Sequence, residues 1–210
     1  MSTATITTSS TSAASIAALF DARRSTRKLG PAIFSPTLIA DLAAATHSMP
    51  SAFNAQPWHV VVLRERNAAF WDRIAETFAA RLDGDRRARY LARASGMRHG
   101  GMTLLIFEDF ARSAPRDGLT DAETRDQASQ SLGMLQLALW LTITAHGLDT
   151  SLQHWHARIE DVARDFVGLP PDGYRLVSFM PVGERAEPLP SREEAVGHFS
   201  VETAANAASH

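Results

Sequence analysis

The chain reads Pro50-Ser51-Ala52-Phe53-Asn54-Ala55-Gln56-Pro57-Trp58 just ahead of a short run of β-branched residues. That run, from His59 to Leu63, has the length and composition of a buried strand. Upstream, Ser35-Pro36 is typical of a helix N-cap followed by proline at the first helical position, and the predicted helix stops before Pro50. Residues 50–58 are therefore predicted to form a polar turn between a helix and a strand, where backbone and side-chain amide groups could contact a planar heteroaromatic ring.

A second informative stretch reads Arg23-Arg24-Ser25-Thr26-Arg27. It follows a helix predicted from the spacing of apolar residues at 16, 19 and 20. Guanidinium forks and a hydroxyl so close together suit bidentate phosphate contacts. A basic cluster at a helix C-terminus can also simply complement the helix dipole while solvated. Asn54 and Gln56 have a plain alternative too, as turn residues that bond their own backbone, so either motif alone leaves both interpretations open.

The remaining pattern predicts a mixed α+β layer fold in which helices separate the strands. Asn67 is predicted to cap a helix, and residues 85–98 to form an exposed, arginine-rich helix. A long helix is predicted over residues 122–145, with apolar residues on nearly every face after Leu132, which places it in the core or in a dimer interface. The other predicted elements are strands at 102–107 and 174–182, an extended piece at 148–153 and a helix at 159–167.

Composition narrows the classes of function. The chain has 210 residues, of which 45% are hydrophobic, and this length suits a single domain. Its net charge of −2 and pI near 6.4 do not indicate a nucleic-acid-binding face. The absence of cysteine excludes disulfides, thiolate nucleophiles, iron–sulfur clusters and cysteine-bound zinc. Redox chemistry would therefore require a bound cofactor.

The two ends of the chain are poor in folding signals. Residues 1–12 are mostly Ser, Thr and Ala and are predicted to be a disordered lead-in without a signal-peptide core. Residues 13–202 are predicted to form one domain, and residues 203–210 a loose tail. No apolar stretch reaches membrane-spanning length, so we expect a cytoplasmic protein without membrane or nucleic-acid partners.

The two stretches occur in an order and context that resemble the nitroreductase family of flavoenzymes. The resemblance continues through Gly147-Leu148-Asp149-Thr150 and Pro181-Val182-Gly183. Gly133-Met134-Leu135-Gln136 and Leu152-Gln153-His154 are most similar to the compact subgroup that includes the yeast fatty-acid-repression flavoproteins. The resemblance implies a mixed, mainly antiparallel sheet flanked by helices, with a long central helix. It also implies a homodimer that exchanges an extended C-terminal arm and holds FMN at its interface.

The resemblance also implies roles for individual residues. Those that would hold the FMN phosphate and pyrimidine edge are Arg23, Arg24, Ser25 and Arg27, with Arg192 closing on the phosphate from the C-terminal arm. Those that the partner subunit would supply to the other side of the flavin are Pro50, Ser51, Ala52 and Asn54. Gln153 and His154 would lie beside the ring or its substrate, with a surface turn as the alternative.

The implied activity is electron transfer from NADH or NADPH through FMN, by a ping-pong cycle, to nitroaromatic, quinone-like or other electrophilic small molecules. A cation such as Arg27 near the N1–C2=O edge would stabilise the anionic reduced flavin, and no side-chain nucleophile is required. Two departures from the family pattern stand out. Ala52 replaces a common serine, and neither Arg98 nor His99 can be matched to a second cation beside the flavin, which leaves the nicotinamide preference open.

Two other functional classes remain as hypotheses. One is a flavin-binding or regulatory protein with little turnover, which missing cationic support near the ring would permit. The other is a helical interaction module without cofactor, which would leave the Arg23 and Asn54 motifs unexplained. The pair His154 and His156 is not expected to bind a metal, because no carboxylates accompany it in the sequence. No role is assigned to the arginine-rich segment 81–98.

Overall fold

A computed structural model describes residues 13–191 and residue 197. The predictions made for residues 1–12, Arg192 and residues 198–210 lie outside this part. The elements in chain order are α1 (Ala13–Ala22), β1 (Leu29–Gly30), α2 (Leu38–Ser48), a 3-10 turn (Ala52–Asn54), β2 (Trp58–Leu63), α3 (Asn67–Arg81), α4 (Gly84–Arg98), β3 (Met102–Asp109), α5 (Asp121–Ala145), β4 (Asp149–Thr150), α6 (His156–Val167) and β5 (Tyr174–Arg185).

The five strands form one sheet in the order β1-β5-β3-β2, and β4 also pairs with β5. Every one of these strand pairs is antiparallel. The central strand β3 is buried along nearly its whole length, as its continuous apolar sequence requires. Successive side chains of a strand point to opposite faces, so β3 contributes to two separate cores.

Helices cover both faces of the sheet. On one face, Leu105 and Phe107 of β3 belong to a core built with α3, α4 and α6. On the other face, Leu104 and Ile106 pack in a core built with α2 and α5. The predicted α+β fold, a mainly antiparallel sheet flanked by helices, is therefore confirmed. None of the helices among the described residues is both long and apolar enough to cross a membrane.

The long helix α5 forms as predicted, within one residue of its predicted start. Thr120 accepts a hydrogen bond from the Glu123 backbone N–H while the Glu123 carboxylate accepts one from the Thr120 backbone, a complete capping box. The helix ends at Ala145, and Gly147, which follows the C-cap residue His146, has a φ of 72° that reverses the chain at little steric cost. Only part of α5 is covered in the single chain, since Met134 and Leu137 remain 41% and 40% exposed.

Three local predictions need correction. Helix α2 begins at Leu38 and not at Pro36, because Pro36 and Thr37 form a turn in which the Leu38 N–H donates to the Ser35 carbonyl. Asn67 does not cap α3: its buried amide donates to the Arg98 carbonyl and accepts from Thr103 Oγ1.

The third correction concerns the number of strands. The described residues contain five strands where the pattern predicted three, because β1 and β4 are only two residues long and carry no periodicity. The predicted extended piece at 148–153 contains β4.

Candidate active site

The basic stretch leaves α1 as an extended segment beside β4. The Thr26 N–H donates to the Thr150 carbonyl at 3.0 Å, and Ser25 forms a parallel bridge with Thr150. Thr26 and Thr150 are fully buried, so their backbone contact fixes the position of the arginines on either side. Arg23 and Arg24 are half-buried, while Arg27 is exposed.

This segment lines an open cavity of about 450 Å³. The residues around the cavity are Arg23, Arg24, Ser25, Thr26, Arg27, Lys28, Glu187, Pro188, Leu189 and Pro190. Among the described residues of this lining Glu187 is the only carboxylate, and it is paired with Lys28 at 2.5 Å. Arg24 Nη2 donates to the Pro190 carbonyl at 2.6 Å. The described lining therefore carries more cationic than anionic side chains, which makes the cavity suited to an anion.

Trp140, which the sequence pattern did not identify as a site residue, packs against Arg23. The guanidinium carbon of Arg23 lies 4.5 Å from the ring centroid of Trp140 on α5, a cation–π contact. The indole N–H of Trp140 and the hydroxyls of Thr26 and Thr150 are buried and have no hydrogen-bond partner in the part of the chain that the structure describes. Unpartnered buried polar groups are rare in proteins, and here they cluster by a cationic cavity. These residues fit a group that carries a phosphate.

A nearby carboxylate is neutralised by its own partner. Asp149, next to Thr150, accepts two hydrogen bonds from Arg185, at 2.8 and 3.0 Å. Hydrogen bonding to the Asp149 side chain raises the pKa of Arg185, so the guanidinium stays protonated beside this carboxylate. Asp149 therefore opposes an anion at the arginine segment less than an unpaired carboxylate would.

The polar turn at residues 50–58 is strained. Phe53, Asn54 and Gln56 have φ values of 55°, 52° and 47°, in the left-handed region that non-glycine residues seldom occupy. Within the turn, Ser51 Oγ accepts a hydrogen bond from the Gln56 N–H at 2.8 Å. The turn is also joined to α5, because the Ala52 N–H donates to Ser131 Oγ at 3.2 Å. Residues kept in such conformations tend to occur at functional sites.

The structure does not bring the two motifs together within one chain. Both contact α5, the turn through Ser131 and the arginine segment through Trp140. These residues are nine positions apart, which corresponds to about 13 Å along the helix and to about half a turn around it. The two motifs therefore contact α5 on opposite faces of the helix.

Gln153 and His154 differ in their surroundings. Gln153 is buried, exchanges two backbone hydrogen bonds with Phe179 and donates its amide to Ser151 Oγ at 2.9 Å. It is therefore not part of a surface turn, and it follows Thr150 closely enough to lie at the same end of the sheet. His154 is exposed. Among the described residues, no group of three His, Asp or Glu side chains is placed to hold a metal ion.

The nitroreductase family profile matches residues 21–184. The chain belongs to the nitroreductase family. The matched range of this family member includes every predicted site residue except Arg192. No protein among the curated sequences is a significant match.

Solved structures of other family members share the fold. Nitroreductase CinD from Lactococcus lactis, in complex with chloramphenicol, has a TM-score of 0.78 at 21% identity, with 90% of this chain and 100% of that chain covered. A nitroreductase from Desulfovibrio desulfuricans in complex with FMN has a TM-score of 0.62 at 19% identity, covering 86% and 92%. The FMN- and NADPH-dependent nitroreductase NfnB from Sphigopyxis has a TM-score of 0.65 at 19% identity, with 84% of this chain and 94% of that chain covered.

The structure of this family member also accounts for the two residues without a family match. Arg98 forms a two-point ion pair with Asp72, at 2.7 and 3.1 Å, and this hydrogen bonding lowers the pKa of the Asp72 carboxyl. His99 Nδ1 contacts the Ser95 carbonyl at 2.6 Å. Arg98 therefore stabilises the α3–α4 pair and is not placed in the arginine cavity.

Proposed function

We propose that this protein is a flavin-dependent oxidoreductase that binds FMN between two copies of the chain. Electrons would pass from NADH or NADPH to nitroaromatic, quinone-like or related electrophilic small molecules. The observation that carries the proposal is the arginine cavity, whose Arg23 lies against Trp140, a residue whose buried N–H has no partner within the described part of the chain. The family match and the FMN named for the Desulfovibrio structure and for NfnB support it.

Each predicted site residue has a place in this proposal. Arg23, Arg24, Ser25 and Arg27 would hold the FMN phosphate and pyrimidine edge, with Arg192 closing over the phosphate. Pro50, Ser51, Ala52 and Asn54 of a second copy would cover the other side of the ring. Gln153 and His154 would lie beside the ring or the acceptor. Because the Ala52 N–H already donates to Ser131, the ring contacts of that residue would involve its methyl and carbonyl groups.

FMN, when bound, supplies the two-electron chemistry by taking a hydride from the nicotinamide and passing electrons to the acceptor in a ping-pong sequence. For a nitro acceptor, one NAD(P)H, one proton and one nitro compound give NAD(P)⁺, a nitroso compound and water. The residues of this chain bind and orient. Arg27 would add positive charge at the pyrimidine edge, where negative charge develops on reduction.

Exposed apolar residues on α5 support the two-copy arrangement. Met134 and Leu137 are exposed on α5, and the half-buried Leu141 continues the same stripe one turn later. Large apolar side chains exposed in a row mark an interaction surface. We propose that this stripe meets its copy across the dimer, which would bring the turn of one chain to the arginine segment of the other.

The first test is the absorbance spectrum of the purified protein, with FMN added if the protein is colourless. NADH and then NADPH are added anaerobically, followed by a nitroaromatic or a quinone. Rapid bleaching and recovery of the flavin band are expected, and the faster donor identifies the nicotinamide preference. A protein that binds no FMN would contradict the cofactor proposal.

A second candidate function is a flavin-binding regulatory protein with little turnover. The observation that favours it is the ion pair between Arg98 and Asp72, which withdraws a cation that could have assisted the reduced flavin. Under this alternative the protein binds FMN, yet the flavin band persists for minutes after either nicotinamide is added. The same spectra therefore separate the two candidates.

A further inference from the structure

Phe53 is a solvent-exposed aromatic residue with a strained backbone conformation. It is 63% exposed, and its φ of 55° is unfavourable for a bulky residue. Its neighbours Ala52 and Asn54 are residues proposed to contact the flavin. An exposed ring has no packing role that would offset such strain, so the position indicates a ligand-directed function.

An arginine from a different segment lies against this ring. The guanidinium carbon of Arg116 is 5.1 Å from the Phe53 ring centroid, within range of a cation–π contact. Arg116 belongs to the loop between β3 and α5, 63 positions along the chain from Phe53. The contact therefore results from the fold and not from local sequence.

The loop holds Arg116 in place through its backbone. The Leu119 N–H donates to the Arg116 carbonyl at 3.1 Å, and Gly118 has a φ of 83°, as a type II turn requires. The loop also packs closely on the polar turn, since the cavity lined by both segments is only about 20 Å³. The orientation of Arg116 toward Phe53 is thus supported by ordered backbone on both sides.

The charge of Arg116 is not neutralised by a carboxylate. It forms no ion pair within the described residues, although Asp117 is its neighbour in the chain. The other nearby cation, Arg112, is paired with Asp109 at 3.5 Å. Phe53 and Arg116 together therefore present a flat apolar face and an available positive charge next to the turn.

We propose that Phe53 and Arg116 form an acceptor-selecting pair that favours planar aromatic acceptors carrying an anionic substituent, such as a carboxylate. The acceptor ring stacks on Phe53, and its carboxylate accepts hydrogen bonds from Arg116. The substituent does not react, so the overall balance of the nitro reduction is unchanged. This inference rests on the proposed function, because it places the pair beside the flavin.

NADPH also combines a ring with anionic groups, so the same chemistry could serve the electron donor. We assign the pair to the acceptor because one ring face and one guanidinium match one ring with one anionic substituent. The assignment predicts a difference between two acceptors of the same shape. One carries a carboxylate (4-nitrobenzoate) and the other is neutral (4-nitrobenzyl alcohol). The KM for each nicotinamide provides the contrasting measurement.

The test compares the wild type with Arg116→Gln in the FMN-loaded, full-length protein at saturating nicotinamide. We expect kcat/KM for 4-nitrobenzoate to fall about tenfold, the value of one charge-assisted contact, while that for 4-nitrobenzyl alcohol changes less than about twofold. Arg116→Lys keeps the charge and should retain part of the preference. Arg89→Gln, a charge removal on the exposed face of α4, should leave both rates unchanged.

Three results would overturn the inference. One is an equal loss for both acceptors in Arg116→Gln, and another is no loss for either. The third is an increase in the KM for NADPH without a change in acceptor preference, which would assign the pair to the donor. Failure of the wild type to reduce either acceptor would instead contradict the proposed function itself. FMN content and thermal unfolding, measured on each variant, identify any general loss of structure.

Discussion

The side chain of Arg23 is held in place without any bound anion. The guanidinium carbon of Arg23 lies 4.5 Å from the ring centroid of Trp140. Three residues later, the Thr26 N–H donates a hydrogen bond to the Thr150 carbonyl. A side chain that is already oriented loses less conformational freedom when it binds. Arg27, in contrast, is exposed. The two arginines are therefore expected to contribute unequally to binding.

The first prediction concerns these two side chains. Arg23→Ala should weaken FMN binding by about tenfold or more, because it removes a charge-assisted contact of about 1.5–3 kcal/mol. Arg27→Ala should weaken it less. Quenching of flavin fluorescence during titration measures both dissociation constants. Arg89→Ala on α4 is the matched control and should bind as the wild type does. Unchanged affinity in both site variants would remove the arginine segment from the cofactor site.

At the scale of elements, a close approach of three backbone segments makes one glycine necessary. A Cβ atom on Gly183 would lie 2.6 Å from both Gly100 Cα and the Gly30 carbonyl oxygen. These are backbone atoms of the segments joining β1, β5 and the start of β3, and they cannot move aside separately. The Pro181-Val182-Gly183 motif therefore has a packing role in addition to its family resemblance.

The second prediction follows from that packing. Gly183→Ala should lower the free energy of unfolding by about 1–3 kcal/mol, as overpacking does, measured by urea denaturation. Gly133→Ala is the contrasting variant, since an added Cβ there meets nothing within 4 Å. It lies inside α5, so the substitution should stabilise the protein by up to about 1 kcal/mol. A stable Gly183→Ala protein would mean that the segments separate more readily than their spacing indicates.

The third prediction concerns the ion pair between α3 and α6. Arg81 donates two hydrogen bonds to Asp161, and this hydrogen bonding lowers the pKa of the Asp161 carboxyl. A lowered carboxyl pKa adds stability above the unfolded-state pKa, near 3.9, which is lost as pH falls through the folded-state value. Arg81→Gln should therefore destabilise the protein more at pH 7 than at pH 2.

The effect should be small, because both side chains are about half exposed and solvent screens them. A loss of at most about 1 kcal/mol at pH 7 is expected, from urea unfolding at the two pH values. Arg73→Gln provides the control, since its 3.5 Å pair with Glu76 is looser and more exposed. A difference between Arg81→Gln and the wild type that persists unchanged at pH 2 would exclude Asp161 as its source.

Features of the fold and the site that are encoded in contiguous residues could be predicted from the sequence, whereas features that depend on contacts between distant residues could not. The extent of α5 follows from its apolar run and its capping residues, and the arginine segment and the polar turn are contiguous. The short strand β1 exists only because Leu29 and Gly30 pair with Arg185 and Glu184, far along the chain. Likewise Trp140 looks like any other apolar residue of α5 until the fold places Arg23 over it. Tertiary contacts of this kind leave no periodic pattern in the sequence.

At the scale of the whole molecule, α5 separates the two halves of the proposed site. The arginine segment contacts one side of the helix, and the polar turn contacts the other. The apolar stripe of exposed Met134 and Leu137 and half-buried Leu141 runs along the same helix. If this stripe joins two copies, then cofactor binding and dimerisation are linked, because ligand that requires both chains stabilises the pair.

The fourth prediction tests that linkage. Leu137→Glu places a charge in the apolar stripe, and a buried, unpaired carboxylate is costly, so the protein should shift toward a monomer in light-scattering chromatography. FMN affinity should fall in parallel, by about tenfold or more, although no residue of the arginine segment has changed. Added FMN should in turn favour the dimer at a given protein concentration. Ala88→Glu on exposed α4 adds the same charge elsewhere and should affect neither property. A monomeric Leu137→Glu protein with full FMN affinity would show that one chain holds the complete cofactor site.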